Sequence, residues 1–135
     1  MFLIVGEVGH VQQIKITSRD SPLPSQAYLK TSGGIFHDCA VHDIDMMSHI
    51  LGEYPIQVYS AANALIPEIK EMNDFDNVSI TLKFKSGCIG LIDISRFASY
   101  GYDQRLEVFG AKGMLQVSND SPNRSTVFNP NGISR

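Results

Sequence analysis

The chain has 135 residues, of which 43% are hydrophobic, and this is the size and composition of one domain with a single hydrophobic core. Lysine and arginine total 11 against 14 aspartate and glutamate residues, so the formal net charge is −3. A balance of this sign argues against a surface built to bind nucleic-acid phosphates or anionic lipids. We therefore expect no nucleic-acid partner.

The apolar segments and the cysteines indicate the compartment. Stretches such as Met1–Val5 and Cys88–Ile94 are far shorter than the roughly 20 residues that a membrane-spanning helix needs. The first residues also lack the basic and then apolar pattern of a secretory signal. Cys39 and Cys88 lie in apolar surroundings without C-x-x-C spacing, which favours a reducing, cytoplasmic location. We expect no membrane partner.

Alternation of apolar and polar residues predicts a mainly β domain. Every second residue is apolar in Asn77–Phe84, and Lys85-Ser86-Gly87 is a turn that joins this strand to Cys88–Phe97 as an antiparallel hairpin. The second strand carries apolar groups on both faces. The other predicted strands are Val11–Ser18, Ile56–Ala62, Gln104–Phe109, Met114–Val117 and a short edge strand around Ser125–Phe128.

One helix is predicted from about Gly34 to Leu51, with Gly52 as its terminator. One arc of this helix is apolar and is expected to pack on the sheet. The arc comprises Phe36, Ala40, Ile44, Met47 and Leu51, flanked by Cys39, Met46 and Ile50. Sequential hairpins with one strong helix indicate an α+β domain: a largely antiparallel open sheet of about six strands with helical cover on one face.

The opposite face of this helix carries four ionisable side chains, Asp38, His42, Asp45 and His49, at spacings of three and four residues. A carboxylate beside an imidazole orients the ring and stabilises its charged form, as a general base near neutral pH requires. Three interpretations stay open: a solvated helix face, a divalent metal site on the last three residues, or an acid/base pair of the first two. Gly33-Gly34 before the helix would let a substrate or a backbone segment approach its N-terminus closely.

One further carboxylate, Asp43, projects into the apolar arc. A buried carboxylate requires a partner, and we expect a structural ion pair with Arg19, Arg96 or Arg105 from a strand. Arg19 and Asp20, at a strand end, are weaker candidates for a binding pocket, and surface ion pairing is their expected role.

The helix region resembles a known family. Residues 32–45 read Ser-Gly-Gly-Ile-Phe-His-Asp-Cys-Ala-Val-His-Asp-Ile-Asp, which closely resembles the inositol dehydrogenase branch of the glucose-fructose oxidoreductase / inositol dehydrogenase / MocA family. The similarity covers about residues 5 to 120. It includes Gly6-Glu7-Val8-Gly9 leading into Ile16–Asp20, Ser95-Arg96, and Tyr100–Gly110.

The resemblance implies a division of labour between two domains. Full-length members join an N-terminal Rossmann domain, which binds NAD(H) or NADP(H), to a C-terminal α+β domain that supplies much of the substrate pocket and mediates oligomer contacts. Residues 1–135 contain no G-x-G-x-x-G after a strand and no Glu-Lys-Pro segment with the family's lysine. We therefore expect a single C-terminal domain, without the Rossmann domain and truncated at its C-terminal end. No cofactor should bind this chain alone, and it should show no turnover.

The resemblance also implies roles for individual residues. The family's Asp-x-x-x-His motif falls on Asp38 and His42, with the histidine as general base toward a substrate hydroxyl and the aspartate orienting the site. Asp45 matches a position that hydrogen-bonds substrate hydroxyls. Tyr102 and, less directly, Tyr100 belong to a motif that borders the pocket. The implied substrate is a small polyol or sugar, which a dehydrogenase most like the inositol dehydrogenases oxidises with NAD or NADP.

A second hypothesis is a non-catalytic, truncated paralogue that acts as an oligomerisation or interaction module. The apolar groups on both faces of Cys88–Phe97 support it, because a sheet face without helices is buried against another chain. Under either hypothesis we expect a homo-oligomer that forms through the sheet face.

Overall fold

Eight strands of the described part of the chain hydrogen-bond into one sheet. The computed structural model describes residues 6–119 in full and the backbone of residues 124–129 and 132–134. The strands are β1 (Val11–Arg19), β2 (Pro55–Asn63), β3 (Asn77–Phe84), β4 (Ile89–Ser95), β5 (Asp103–Gly110), β6 (Gly113–Ser118), β7 (Arg124–Asn129) and β8 (Gly132–Ser134).

The order across the sheet is β2-β3-β4-β1-β5-β6-β7-β8, and among these described strands only β1 and β4 are parallel neighbours. The predicted α+β class with a largely antiparallel open sheet is confirmed. Each predicted strand is present, and β8 adds a short strand whose three residues carry no periodicity that a sequence pattern could detect. Because β7 pairs with both β6 and β8, it is an inner strand and not the predicted edge.

The long helix starts with an unusual geometry. Phe36–Ala40 form a π-helical turn, which runs directly into α2 (Val41–Leu51). Gly52 ends α2 in the left-handed conformation, with φ of 71°, as predicted. Two short helices, α1 (Gln26–Leu29) and α3 (Pro67–Glu71), flank the long one in sequence. No helix in the described residues is long and apolar enough to cross a membrane.

The hydrophobic core lies between α2 and one face of the sheet. Ala40, Met47 and Ile50 are buried there against strand residues that include Leu82 and Ile92. The predicted burial of two members of the apolar arc is wrong, because Phe36 and Met46 are exposed. The wide π-helical turn breaks the regular 3.6-residue register and directs Phe36 toward Phe75, with ring centroids 6.1 Å apart. Met46 is rotated by about 100° from Met47, so it lies at the side of the interface.

Candidate functional site

A cleft of about 880 Å³ lies where the π-helical turn and the start of α2 meet the loop after β1 and the start of β5. The helix contributes Asp38, Cys39, His42 and Asp43. The remaining lining residues are Ser18, Asp20, Ser21, Pro22, Pro24, Ser25, Tyr28, Tyr102 and Gln104. The structure therefore brings three of the predicted site residues, Asp38, His42 and Tyr102, to one concave surface.

The loop between β1 and α1 forms one wall of the cleft. It contains a cis peptide bond between Ser21 and Pro22. Ser25 then caps α1, because its hydroxyl accepts a hydrogen bond from the backbone N–H of Tyr28 at 3.3 Å. This places the Tyr28 hydroxyl against Asp38, where it donates a hydrogen bond to Oδ1 at 2.5 Å.

Asp38 is held as an ionised, oriented carboxylate. Burial raises the pKa of this carboxyl, but hydrogen bonds from the Arg96 guanidinium and the Tyr28 hydroxyl outweigh burial and hold the pKa below its ordinary value. The charge of His42 acts in the same direction. Each carboxylate oxygen has its own donor, since Arg96 binds Oδ2 and Tyr28 binds Oδ1. The cleft therefore has a fixed hydrogen-bond acceptor beside an imidazole.

The cation behind Asp38 is completely buried. Arg96 follows β4 and has no exposed side-chain surface. Its Nη1 donates to Asp38 and lies 3.4 Å from the Cys39 sulfur, while its Nη2 lies 3.4 Å from the Ser32 hydroxyl and 3.8 Å from a carboxylate oxygen of Asp74. Burial lowers the pKa of this guanidinium, but the hydrogen bond to Asp38 reverses the effect and the pKa is raised. Arg96 thus connects three segments of the chain behind the cleft.

The expected ion pair of Asp43 with an arginine is wrong. Asp43 is 3% exposed, and its nearest hydrogen-bond donor is the Ser18 hydroxyl, 3.5 Å from Oδ1. Its Oδ2 has no hydrogen-bond partner among the described residues. Burial raises the pKa of this carboxyl to about 6. Arg96, one of the three proposed partners, instead pairs with Asp38 one turn earlier.

The polar face of the helix divides between cleft and solvent. His42 is exposed in the first turn of α2 and lines the cleft, whereas Asp45 and His49 are exposed further along and lie outside its lining. The substrate contact predicted for Asp45 stays a prediction that this geometry does not support. Within residues 6–119, no group of three or more histidine, cysteine or carboxylate side chains is placed to hold one metal ion, so the metal alternative for these residues lacks support.

The two tyrosines of the resemblance motif have different surroundings. Tyr102 lines the cleft, and its hydroxyl donates to the side-chain oxygen of Gln104. The Tyr100 hydroxyl lies outside the cleft, where it donates to Asp103 at 2.7 Å and accepts from Arg19 at 3.0 Å. The pocket role predicted for Tyr100 therefore stays a prediction without a contact to the cleft.

Sequence reasoning missed several cleft residues. Asp20, only a weaker candidate for the pocket and expected in a surface ion pair, lines the cleft, and burial raises its pKa. Arg19 forms a half-buried ion pair with Asp93 instead. Tyr28, Ser18 and Gln104 were not proposed. The detectable signal was the loop after β1, whose two prolines and two serines in 21–25 indicate a fixed, polar connection at a strand end.

A side chain of the protein itself caps the N-terminus of the long helix, so the predicted approach of a substrate at Gly33-Gly34 stays a prediction that this contact does not support. Oδ1 of Asp74 accepts a hydrogen bond from the backbone N–H of Ile35 at 3.1 Å. A Cβ on Gly34 would lie 3.1 Å from the same oxygen. The glycine therefore makes room for a capping carboxylate of the protein itself.

The cleft does not fit the pyrophosphate of a nicotinamide dinucleotide. A pyrophosphate binds backbone N–H groups at a free helix N-terminus or basic side chains. Here the helix N-terminus faces Asp74, and the described lining of the cleft includes Asp20, Asp38 and Asp43 but no lysine or arginine. The cleft is thus suited to hydroxyl groups and not to phosphates.

Comparison with known proteins gives a consistent result. Residues 3–116 match the sequence model of the GFO/IDH/MocA C-terminal domain. The chain is 43% identical over 131 residues to an inositol 2-dehydrogenase from Rhizobium meliloti, covering 96% of this chain and 40% of that protein. It is 45% identical over 115 residues to a myo-inositol 2-dehydrogenase from Thermotoga maritima, covering 84% and 34%.

The same similarity holds for the fold. The crystal structure of a myo-inositol dehydrogenase from Corynebacterium glutamicum superposes with a TM-score of 0.83 at 37% identity, covering 98% of this chain and 40% of that one. The chain spans between 34% and 40% of the length of these three relatives.

Proposed function

Because the chain belongs to the GFO/IDH/MocA C-terminal domain family, we propose that it forms the substrate side of a polyol dehydrogenase site, with the cleft as the binding place of an inositol-like polyol. The observation that carries this proposal is the meeting of Asp38, His42 and Tyr102 in one cleft of about 880 Å³. The relatives named inositol 2-dehydrogenase and myo-inositol 2-dehydrogenase support the choice of substrate.

Each of the three residues has a role in this proposal. The exposed imidazole of His42 accepts the proton of the hydroxyl group that is oxidised. Asp38 accepts a hydrogen bond through Oδ1 and stabilises the imidazolium that forms. The Tyr102 ring packs beside the polyol ring. The Tyr102 hydroxyl, which donates to the side-chain oxygen of Gln104, is a further hydrogen-bonding group for the polyol.

The charge of the cleft predicts which substrates are excluded. Asp20, Asp38 and Asp43 line it, and no basic residue does so in the part of the chain that the structure describes. Carboxylates accept hydrogen bonds from hydroxyl groups but repel phosphates and acids. The substrate class is therefore a neutral polyol or sugar, and phosphorylated sugars and sugar acids bind poorly.

The hydride acceptor comes from outside this cleft in the proposal. The family resemblance implies NAD or NADP on a separate dinucleotide-binding domain, and the described lining of the cleft includes no basic side chain for the phosphates of such a cofactor. We therefore expect the 135-residue chain alone to bind polyol without oxidising it. NAD-dependent oxidation of myo-inositol by the purified chain would contradict this division of labour.

A titration of the isotope-labelled chain with myo-inositol, followed by NMR, tests the proposal. We expect saturable shifts of signals from residues 38, 42 and 102, and weak or no binding of inositol monophosphate. His42→Gln should weaken binding, whereas His49→Gln, on the exposed part of the same helix, serves as the matched control. If myo-inositol does not bind, or if the shifted signals belong to residues outside the cleft, the proposal is contradicted.

A second candidate function, a non-catalytic interaction module, is favoured by the outer face of the sheet. Tyr59, Ile89 and Phe109 are exposed there at 71%, 43% and 45%. Register places Ile89 and Phe109 on either side of Gln13, so their side chains share this face. The same face is our proposed homo-oligomer contact. Sedimentation equilibrium would separate the cases: a strict monomer removes the support for this candidate.

A further inference from the structure

Arg96 is a completely buried, ion-paired cation that the proposed function leaves without a role. Its side chain is entirely buried and does not line the cleft, so it contacts no bound polyol. A buried cation is costly unless it is paired, and its position is therefore determined by the groups around it. Those groups lie on the two sides of the guanidinium, one side toward the cleft and the other toward the loop before β3.

On the cleft side, Nη1 donates to Oδ2 of Asp38 and lies near the Cys39 sulfur. Both partners belong to the π-helical turn, where the regular helical hydrogen bonds are replaced by wider ones. The turn alone does not determine where the Asp38 carboxylate points. The guanidinium does, because its Nη1 occupies Oδ2 and leaves Oδ1 for a donor in the cleft, while its Nη2 faces Ser32 and Asp74.

On the other side, Nη2 contacts the Ser32 hydroxyl and lies 3.8 Å from Asp74, which also caps the helix N-terminus. The backbone N–H of Arg96 donates to the carbonyl of Asp76 at 2.8 Å. These contacts hold the guanidinium in a fixed position just after β4. The Asp38 carboxylate is therefore held in place relative to the sheet.

We propose that Arg96 is a positioning residue of the polyol site: its guanidinium fixes Asp38 so that Oδ1 faces the cleft beside His42. Tyr28 occupies that oxygen at 2.5 Å in the free protein, which shows that a hydroxyl donor reaches it. A polyol hydroxyl uses the same acceptor. The inference rests on the proposed function for its ligand, but the position of Asp38 can be tested without any ligand.

Crystal structures of Arg96→Lys and Arg96→Gln test the positioning directly. A lysine keeps the charge but loses the planar fork, and glutamine loses the charge as well. We expect the Asp38 carboxylate to turn away from the Tyr28 hydroxyl in both variants. If Oδ1 keeps its place beside Tyr28 in both, the proposal is overturned whether or not polyol binds. Should Arg96→Gln fail to fold, Arg96→Lys alone decides the question.

Binding of myo-inositol to the same variants supplies the functional readout. Arg96→Lys should raise the dissociation constant about 10-fold, the effect expected for loss of one charge-assisted hydrogen bond. In any Arg96→Gln that folds, the pH below which binding is lost should also rise, because Asp38 then protonates more readily. Arg105→Lys, which changes an exposed ion pair with Asp103, is the control and should leave both values unchanged.

The outcomes separate the two proposals. An unchanged dissociation constant in Arg96→Lys, together with lower thermal stability, would mean that Arg96 is only structural. Failure of the wild-type chain to bind any polyol would reject the proposed function, while the crystal structures would still decide whether Arg96 positions Asp38.

Discussion

Oδ1 of Asp74 accepts a hydrogen bond at 3.1 Å from the backbone N–H of Ile35, although 39 positions separate the two residues. A loop before β3 thus caps the helix that carries Asp38 and His42. The cap satisfies a backbone donor that the helix itself leaves unpaired, and it places a negative charge at the positive end of the helix dipole. The same carboxylate faces the buried guanidinium of Arg96.

Replacement of Asp74 by alanine should therefore destabilise the domain. Loss of a helix cap costs about 1–2 kcal/mol, and the loss here also removes one of the two carboxylates near Arg96. Urea denaturation would measure the change in the free energy of unfolding. Asp93→Ala is the control, because its pair with Arg19 remains partly exposed to solvent and should contribute about 1 kcal/mol or less. Equal effects of the two substitutions would argue against the cap.

The buried carboxyl of Asp43 should make stability depend on pH. Burial raises its folded-state pKa from 3.8 to about 6, so the stability that its protonated form contributes is complete below pH 3.8 and is lost as the pH rises through 6. Asp43→Asn stays neutral. The free energy of unfolding of Asp43→Asn minus that of wild type should therefore increase between about pH 4 and about pH 7, by at most about 3 kcal/mol.

Denaturation curves at several pH values check this prediction. Asp45→Asn, on the exposed face of the same helix, is the control for an ordinary aspartate. A constant difference between Asp43→Asn and wild type across this range would mean that the Asp43 carboxyl is not strongly perturbed in the folded protein.

Gly90 allows the long helix to approach the sheet closely. A Cβ at this position would lie 2.6 Å from the Met47 sulfur and 3.3 Å from atoms of Leu82 and Phe84. Gly90→Ala should therefore overpack the core and lower the free energy of unfolding by about 1–3 kcal/mol. Gly6→Ala meets no atom within 4 Å and is the matched control. Thermal melts of both variants would suffice, and an unchanged midpoint for Gly90→Ala would show that the core can expand.

The proposed general base predicts a kinetic difference between two histidines of one helix. In a polypeptide that combines this domain with a dinucleotide-binding domain, His42→Gln should reduce kcat for myo-inositol by about 100-fold to 10,000-fold. His49→Gln lies outside the cleft and should change kcat little. Steady-state kinetics with NAD would measure both, and comparable activity of the two variants would remove His42 from the proposed mechanism.

Local patterns predicted most of the fold because they arise from burial on one face. The limits of β3 agree with the alternation in Asn77–Phe84, and Gly52 ends the helix where its sequence context indicates. The errors fall where a regular period does not hold. The π-helical turn displaces Phe36 from the core, and no periodicity in the sequence predicts such a turn.

The candidate site divides in the same way. The sequence by itself determined the class of fold, the position of the helix and the pairing of Asp38 with His42 on one face, since these depend on residues a few positions apart. The tertiary structure was needed to show that Arg96 pairs with Asp38 and not with Asp43, and that Ser18, Tyr28 and Gln104 line the cleft. Arg96 and Asp38 lie 58 positions apart in the chain, and the cost of burying an unpaired charge favours their pairing only after the sheet has brought them together.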